Sequence, residues 1–370
     1  MRVLHVQKVR GIGGSERHLL DLLGGLPAEG VVARMCVLRA SGDQVFVDAL
    51  RERGIETFRL DAGPHANPLL VVRLRREIAS FRPDLVHTHL LHADLHGQAA
   101  ARLARVPAVA SMHGVHRFFA REPVRTAERI AFGSARRVIA ISEHVASFLR
   151  RHRLAEEDKI RVVPYGIDVD AWLASEEERH QARARFGLAD AEFAVAIVSR
   201  LVDGKGHRLA FEAVRLARES VPNLVLLVAG TGPLHAKLER PASDLAGAVR
   251  VLGFVEDVRS LMAACDAVMV PTEPSLGEGF GLAALEAMAA ERPAVVTAVA
   301  SLPEVVGDAG IVVPPDHPRA LADALVELAT DAPHAQDRAR AGRERARTRY
   351  ALDEMVRATV SVYRQALSEA

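Results

Sequence analysis

Residues 267–286 read Ala267-Val-Met-Val-Pro-Thr-Glu-Pro-Ser-Leu-Gly-Glu-Gly-Phe-Gly-Leu-Ala-Ala-Leu-Glu286. The first four residues form an apolar run of the length expected for a buried strand, and the Gly and Pro residues that follow indicate a loop. A helical pattern then begins. A strand, a loop and a helix in this order are typical of a parallel sheet covered by helices.

The same strand and helix alternation extends outward over the whole chain. Strands alternating with helices of about 10–15 residues predict an α/β protein with doubly wound, Rossmann-like sheets. The length of 370 residues favours two such domains. The predicted strands are 3–6, 31–38, 85–87, 108–111, 138–141 and 161–163 in the first half, and 194–198, 224–228, 249–252, 267–270, 294–297 and 311–313 in the second.

A Pro and a Gly interrupt this alternation at Pro164-Tyr-Gly-Ile-Asp168. We therefore predict a first domain over 1–165 and a second over 166–344. The last segment, 343–370, is predicted as one helix that neither sheet needs as a closing element.

Composition favours a globular, intracellular protein. Hydrophobic residues make up 49% of the chain, and the two cysteines, Cys36 and Cys265, are far apart in apolar stretches. No export signal or membrane-spanning stretch is recognised, so a cytoplasmic location is predicted. The first 165 residues carry 26 basic and 17 acidic residues, which indicates either an anionic partner or uneven surface charge. Only 4% of residues are aromatic, and no nucleic-acid partner is predicted.

A glycine-rich turn, Gly11-Ile-Gly-Gly-Ser-Glu16, follows the first predicted strand and opens a helix. Such a turn lets the backbone approach a phosphate, although Ser15 in a capping role explains part of it. A dinucleotide-dependent oxidoreductase also carries such a turn, but it needs a carboxylate at the end of the second strand. Here that strand ends in Leu38-Arg-Ala-Ser41, and the first carboxylate is Asp43, which disfavours this alternative.

Two cations follow the strand 194–198, in Ser199-Arg-Leu-Val-Asp-Gly-Lys-Gly206. Because ligands of doubly wound sheets bind at the carboxyl ends of strands, Arg200 and Lys205 are candidates for the two phosphates of a nucleoside diphosphate. In the opening segment, Gly279 and Gly281 flank a helix start that suits phosphate oxygens. Glu278 precedes that helix and Glu286 lies about two turns into it, so two separate roles fit them better than a close acid–base pair.

Together these motifs resemble the retaining glycosyltransferases of GT-B fold known as family 4, also called glycosyltransferase group 1. The resemblance covers nearly the whole chain, and its most specific part is the pair of glutamates, Glu278 and Glu286, with Arg200 and Lys205 upstream. The chain departs from the family at Tyr165, where Asn is common. Further matching segments are Gly-Gly-Ser-Glu at 13–16, Ser-Met-His-Gly at 111–114, Val-Ile-Ala-Ile-Ser at 138–142, Leu-Val-Ala-Gly-Thr-Gly-Pro at 227–233 and Leu-Gly-Phe-Val at 252–255.

The resemblance implies a GT-B architecture, in which two domains face each other across a cleft, and a last helix, about 345–370, that returns to the first domain. It implies metal-independent, retaining transfer of a hexosyl group from a nucleotide-diphosphate sugar to an acceptor of unknown identity, without a cofactor. A nucleotide-sugar epimerase or hydrolase on the same fold is the alternative. The implied catalytic residues are His113, Arg200, Lys205 and Glu278, and the implied donor-binding residues are Gly13, Gly14, Arg200, Lys205, Phe254, Val255, Glu278, Gly279, Phe280, Gly281, Leu282 and Glu286.

Histidines gather at 87, 89, 92, 96, 113 and 116. His92 and His96 have the spacing of a zinc-binding helix, but Ala93 stands where such a helix carries its catalytic Glu, so no metal is predicted. Likewise Asp168-Val-Asp170 resembles a metal-binding motif, yet its place at the domain junction favours a turn or a helix cap.

A basic segment, 117–137, begins at Arg117 and ends at Arg137, with Phe118, Phe119 and Phe132 among its aromatic residues. Basic charge beside aromatic rings suits peripheral contact with an anionic membrane, at the inner face of the cell membrane. The alternative is a solvated helix face whose aromatic side chains lie in the core.

Overall fold

A computed structural model of the protein describes residues 1–40, 42–63, 67–115, 119, 121–245 and 247–368. These residues form two compact units. Unit 1 contains Met1–Gly166 and Leu352–Ala370, and unit 2 contains Ile167–Ala351. Both units are built from parallel sheets with helices between successive strands, which confirms the predicted α/β fold of two doubly wound domains.

Unit 1 has a seven-stranded parallel sheet in the order β3-β2-β1-β4-β5-β6-β7. The order reverses beside β1, so β1 and β4 flank the switch point where ligands of such sheets bind. The strands are β1 Arg2–Lys8, β2 Val32–Arg39, β3 Glu56–Asp61, β4 Leu85–His89, β5 Ala108–Met112, β6 Arg137–Ala140 and β7 Ile160–Val162; the helices are α1 Gly14–Gly25, α2 Gln44–Glu52, α3 Pro68–Phe81, α4 Leu90–Ala104, α5 Glu122–Ser134, α6 Glu143–Arg151 and, from the end of the chain, α16 Leu352–Ser368.

Unit 2 has a six-stranded parallel sheet in the order β10-β9-β8-β11-β12-β13, and its switch point lies between β8 and β11. Its strands are β8 Phe193–Val198, β9 Leu224–Ala229, β10 Val249–Gly253, β11 Ala267–Val270, β12 Ala294–Thr297 and β13 Ile311–Val313; its helices are α7 Val169–Trp172, α8 Glu176–Arg185, α9 His207–Ala217, α10 His235–Ser243, α11 Val258–Ala264, α12 Leu282–Ala289, α13 Leu302–Val306, α14 Pro318–Thr330 and α15 Ala332–Arg349.

The predicted single helix over 343–370 is wrong. The structure has two helices, because Tyr350 leaves the helical conformation at φ −136° and its carbonyl accepts the amide of Ile167 at 2.8 Å. Ala351 then forms a β-bridge with Ile167. The second unit therefore extends to residue 351 rather than 344, and α15 stays with it while α16 belongs to unit 1.

Helix α16 completes the core of unit 1. Val360 and Tyr363 are fully buried, in one apolar cluster with Leu19, Leu23 and Val109. Gly25 lies so close to this helix that an added Cβ would be 2.6 Å from Val356. A segment packed this tightly is an integral part of the unit.

None of the helices that the structure describes has the length and apolar character needed to cross a bilayer.

Candidate functional site

The carboxyl-end loops of β8 and β11 meet in unit 2 through an ion pair. Lys205 Nζ lies 2.5 Å from Glu278 Oε2, and both side chains are largely buried. The two residues are 73 positions apart, and they meet because β8 and β11 are neighbours in the sheet. Two residues predicted to bind phosphate and sugar separately are thus in direct contact.

Glycine makes the close approach of these two loops feasible. Gly206 has φ +74°, and a Cβ on it would lie 1.8 Å from the carbonyl oxygen of Pro271 in the loop after β11. Gly204, at φ +89°, is similarly close to Leu276. No side chain fits at Gly206, so the backbone of the loop that carries Lys205 rests directly on the loop that carries Glu278.

Glu278 is held by neighbouring hydroxyl groups. Thr272 Oγ1 donates to Glu278 Oε2 at 3.2 Å, and Ser301 Oγ donates to the Glu278 carbonyl at 3.0 Å. Thr297 in turn donates to the Thr272 carbonyl at 2.6 Å. These contacts fix the carboxylate at the edge of the sheet, with one oxygen shared between an ammonium and a hydroxyl group.

The start of α12 follows Glu278 directly. Gly281 precedes the first residue, Leu282, at φ +95°, and a Cβ there would be 2.5 Å from the Leu302 side chain. The first amide bonded into the helix is that of Ala284. The amides before it lie at the positive end of the helix dipole, where an anion is favoured. Gly279 and Phe280 are buried in the preceding loop, and Glu286 is buried within α12.

Arg200 is exposed after β8, and its guanidinium forms no ion pair with any of the described residues. The loop after β8 also borders a pocket, whose lining includes Gly204, Gly206, His207, Arg208 and Lys237. Burial, with a smaller contribution from the Lys205 charge, lowers the pKa of His207 to about 4, so this ring is neutral near pH 7. Among the described residues, the cationic side chains that line this pocket are those of Arg208 and Lys237, and the carboxylates of Asp203 and Glu273 line it as well.

Phe254 and Val255 follow β10 at the edge of the same sheet. Phe254 is 70% exposed, which is unusual for so large an apolar side chain. β10 is two strands from β8 in this parallel sheet, so these residues lie at the same end of the sheet as Arg200.

In unit 1, the glycine turn contains a carboxylate that the sequence reading left unassigned. Glu16 is 8% exposed and accepts hydrogen bonds from the Gly13 amide at 3.0 Å, Ser15 Oγ at 3.0 Å and Gln7 Nε2 at 2.6 Å. The Gly13 amide, predicted to bind the donor phosphate, is therefore already bonded to an anion. Gly14 is exposed at the start of α1.

His113 belongs to a buried hydrogen-bonded chain. Its Nδ1 is 2.6 Å from Tyr165 Oη and its Nε2 is 2.9 Å from His89 Nδ1. His89 Nε2 is in turn 3.1 Å from His5 Nδ1, and His18 stacks on Tyr165 with ring centroids 4.2 Å apart. Both ring nitrogens of His113 are thus engaged inside unit 1, although its predicted role is beside the reacting sugar.

Burial decides the charge of these rings. It lowers the pKa of His5 to about 3 and the pKa values of His18, His87 and His89 well below the usual range, and neighbouring histidines add to the shift for all but His5. A neutral imidazole donates with one nitrogen and accepts with the other. Because His5 and His89 are neutral, the two bonds from His5 through His89 to His113 must point the same way along the chain.

His5, His87 and His89 are near enough to one another to hold a metal ion. Hydrogen bonds already engage their ring nitrogens, except His5 Nε2: His87 contacts Tyr363 Oη and Ser111 Oγ, both at 2.8 Å. His92 and His96 are instead tied to backbone groups of Ala62, His92 and Asn67. His116 lies outside the described residues.

The basic segment 117–137 also lies partly outside the described residues, at 117, 118 and 120. In the part that the structure shows, Phe119 and Phe132 are buried, while Arg129 donates to the carbonyls of His152 and Arg153. This arrangement favours the alternative of a solvated helix face with its aromatic side chains in the core. At the domain junction, Asp168 accepts the Ala171 amide and caps α7, as predicted.

Asp170, the second carboxylate of that motif, pairs with Arg343 and Arg347 at 2.8 Å each. The sequence reading did not anticipate these contacts or the roles of His5, His18 and Tyr363. A buried histidine within an apolar strand was the only available signal for His5.

The switch point of unit 2 thus combines a paired acid and base, a guanidinium without an ion pair among the described residues, and a helix N-terminus, which is an arrangement that suits an anionic ligand. Residues 12–171 match the family model of glycosyltransferase family 4, and residues 192–331 match that of group 1 glycosyl transferases. The two models together span most of the chain. The protein belongs to the family 4, or group 1, glycosyltransferases.

Relatives agree with this assignment, and a solved structure has the same fold. The 2-deoxystreptamine glucosyltransferase of Streptomyces kanamyceticus is 30% identical over 64% of each chain, so the match spans just under two thirds of that relative. The D-inositol 3-phosphate glycosyltransferase of Streptomyces bingchenggensis is 28% identical over 98% of this chain and 87% of its own. HepE of Anabaena, solved with UDP and glucose, superimposes with a TM-score of 0.85 at 23% identity, over 98% of this chain and 99% of its own.

Proposed function

We propose that the protein is a retaining, metal-independent glycosyltransferase that moves a hexosyl group from a nucleotide-diphosphate sugar to a hydroxyl group of a small acceptor. The observation that carries this proposal is the Lys205–Glu278 pair at the switch point of unit 2, next to Arg200 and the start of α12. In this proposal, the site residues predicted from the sequence keep their predicted roles.

Charge explains how these groups would act. Breaking the bond between sugar and phosphate leaves negative charge on the departing diphosphate and positive charge on the sugar ring. Arg200, Lys205 and the α12 amides are fixed donors suited to the first charge, and Glu278 is suited to the sugar. Because both charges grow towards the transition state, these groups bind that state more tightly than the ground state.

Retention follows if the acceptor oxygen attacks the face that the diphosphate leaves. The new bond joins the acceptor oxygen to the anomeric carbon, the bond to the phosphate oxygen breaks, and that oxygen takes the hydroxyl proton. No metal enters this step, because Arg200 and Lys205 supply the positive charge.

The donor and acceptor classes draw on the relatives. HepE has been solved with UDP, UDP-glucose and glucose, which makes UDP-glucose the first donor to test. The relatives named for 2-deoxystreptamine and D-inositol 3-phosphate favour a hydroxylated six-membered ring as acceptor.

Stereochemistry and metal use can be tested without an acceptor. UDP-glucose is incubated with the protein in EDTA, and the first glucose released by slow hydrolysis is followed by proton NMR before its anomers equilibrate. Release of α-glucose supports retention without metal, whereas β-glucose as the first product contradicts retention. Activity that needs an added divalent ion contradicts metal independence, and UDP release that an acceptor never accelerates favours a hydrolase.

A further inference from the structure

Two buried carboxyl groups in unit 1 have no part in the proposed reaction. Asp94 of α4 is fully buried and Glu128 of α5 is 1% exposed. The helices pack together, and the carboxyl groups are close enough to share a hydrogen bond when one of them carries a proton. Asp94 Oδ1 also accepts from Thr88 Oγ1 at 2.5 Å, and Gln98 donates to that hydroxyl at 2.8 Å.

The pair lacks a positive partner. Apart from the partner carboxyl group itself, no N–H or O–H donor of the described residues reaches Asp94 Oδ2 or Glu128 Oε2, and no basic side chain among those residues forms an ion pair with either carboxyl group. Burial raises the pKa of Asp94 to about 8, and burial together with the Asp94 charge raises that of Glu128. Near neutral pH the pair therefore retains protons that solvent-exposed carboxyl groups would have lost.

Glu128 lines a small cavity at the carboxyl end of β5, next to the β4 end. Ser111, His113 and Gly114 line it as well, with Leu90, Leu91, Met112 and Phe119 as apolar walls. It has room for roughly one water-sized group. The carboxyl ends of β4 and β5, which are neighbours in the sheet, meet at this cavity. Ligands of doubly wound sheets bind at the carboxyl ends of the strands.

We propose that this cavity binds an ammonium group of the acceptor, with Glu128 as its direct partner and Asp94 as the residue that positions Glu128. The assignment rests on the proposed glycosyltransferase function and specifies its acceptor as an amine. An ammonium group is about the size of a water molecule, has three N–H donors and supplies the positive charge that the pair lacks. A hydroxyl group has one donor and no charge.

Binding of the amine has a defined proton balance. The charged ammonium enters, one proton leaves the Asp94–Glu128 pair for the solvent, and the remaining carboxylate pairs with the ammonium. A neutral hydroxylated ligand would release no proton from the pair. Proton release therefore distinguishes an amine site from a purely structural pair of acids.

The experiment compares two ring probes on the full-length protein with UDP present. 2-Deoxystreptamine carries amino groups, and myo-inositol is the matched ring with hydroxyl groups only. Isothermal titration in buffers of different ionisation enthalpy gives both the affinity and the number of protons released. We expect 2-deoxystreptamine to bind at least about tenfold more tightly than myo-inositol, with proton release.

Variants then assign the effect to Glu128. Glu128→Gln is expected to weaken the binding of 2-deoxystreptamine at least about tenfold and to abolish proton release, while UDP binding is unchanged. The loss of one charged hydrogen bond explains a factor of about ten in affinity. Glu122→Gln, an exposed position of the same helix, is the matched control and should change neither quantity. If Glu128→Gln does not fold, Glu128→Asp keeps the charge but withdraws it from the cavity, and it should weaken only the amine.

Equal affinity for the two probes, no binding of 2-deoxystreptamine, or unchanged proton release in Glu128→Gln would each overturn the amine site. UDP titration alone separates this result from failure of the proposed function. If the protein binds UDP but neither probe, the proposed function stands and the amine site is wrong. If the protein does not bind UDP, the proposed function itself is wrong.

Discussion

Glu278 Oε2 accepts hydrogen bonds from both Lys205 Nζ, at 2.5 Å, and Thr272 Oγ1, at 3.2 Å. In this structure the carboxylate of Glu278 neutralises the cation that we assign to the donor phosphates. A diphosphate would therefore compete with Glu278 for Lys205. Removing either partner should have opposite effects on diphosphate binding.

We expect Lys205→Met to weaken UDP binding about tenfold or more, because a charged contact to phosphate is lost. Glu278→Gln should leave UDP affinity unchanged or increase it, since Lys205 is released, while transfer falls about 100-fold or more. Titration calorimetry and initial rates measure the two quantities. Arg319→Ala, at an exposed position on α14, is the control, and parallel losses of UDP affinity in both variants would contradict the competition.

Gly206→Ala should disrupt the meeting of the two loops in unit 2. The new Cβ would lie 1.8 Å from the Pro271 carbonyl oxygen, in addition to the strain of φ +74°. Gly187→Ala is a matched control, because Gly187 has φ +65° and open space around it. We expect about 1 kcal/mol of destabilisation for the control and clearly more for Gly206→Ala, together with lost UDP binding. Equal losses in urea unfolding would show that the loop contact is not needed.

Tyr165→Phe removes the hydrogen bond that holds His113 Nδ1, and Tyr363→Phe removes the one to His87 Nδ1. Each should cost roughly 1–3 kcal/mol, since a buried imidazole nitrogen loses its partner. If His113 acts beside the sugar, only Tyr165→Phe should also lower the turnover number. Comparing the stability and the turnover of the two variants checks this, and equal turnover would confine Tyr165 to a structural role.

Acid should destabilise unit 1 through its buried histidines. Since burial lowers the pKa of His5 from 6.5 to about 3, the unfolded chain takes up a proton below pH 6.5 that the folded chain refuses until near pH 3. Stability is therefore complete above pH 6.5 and falls as the pH drops towards 3. Between pH 7 and 5 His5 alone should cost about 2 kcal/mol.

His5→Asn should reduce this loss between pH 7 and 5, as measured by urea unfolding followed by circular dichroism. The substitution also changes packing, but this change affects the free energy of unfolding equally at both pH values. It therefore cancels when the free energy at pH 5 is subtracted from that at pH 7. His180→Asn, at an exposed position in unit 2, should keep the pH dependence of the wild type. An unchanged loss in His5→Asn would assign the acid sensitivity to other groups.

Most strands could be predicted because buried parallel strands are apolar over their whole length, as in Leu224–Ala229. The prediction missed β3, Glu56–Asp61, which forms the edge of its sheet and alternates polar with apolar residues. Nor did the helical pattern over 343–370 reveal the break at Tyr350, because the contact that ends the helix comes from Ile167, far away in the chain.

The site shows the same limit. Motifs identified Lys205 and Glu278 separately, but only the strand order β8-β11 brings them together. The register of β1 and β4 sets His5 opposite His87, two residues before His89, to which His5 is hydrogen-bonded. A polar residue within an apolar strand can be recognised from the sequence alone. Its hydrogen-bond partners cannot, because they depend on the order and register of the strands.

The return of α16 to unit 1 makes that unit discontinuous in the chain, whereas unit 2 is one uninterrupted segment. During synthesis, the residues that bury Leu19 and Leu23 beneath Tyr363 and Val360 leave the ribosome only after all of unit 2. Unit 2 can therefore reach its native state first, although it is encoded second. Until the helix Leu352–Ser368 has been synthesised, unit 1 lacks the side chains that cover Leu19 and Leu23, and apolar surface exposed at that stage favours aggregation.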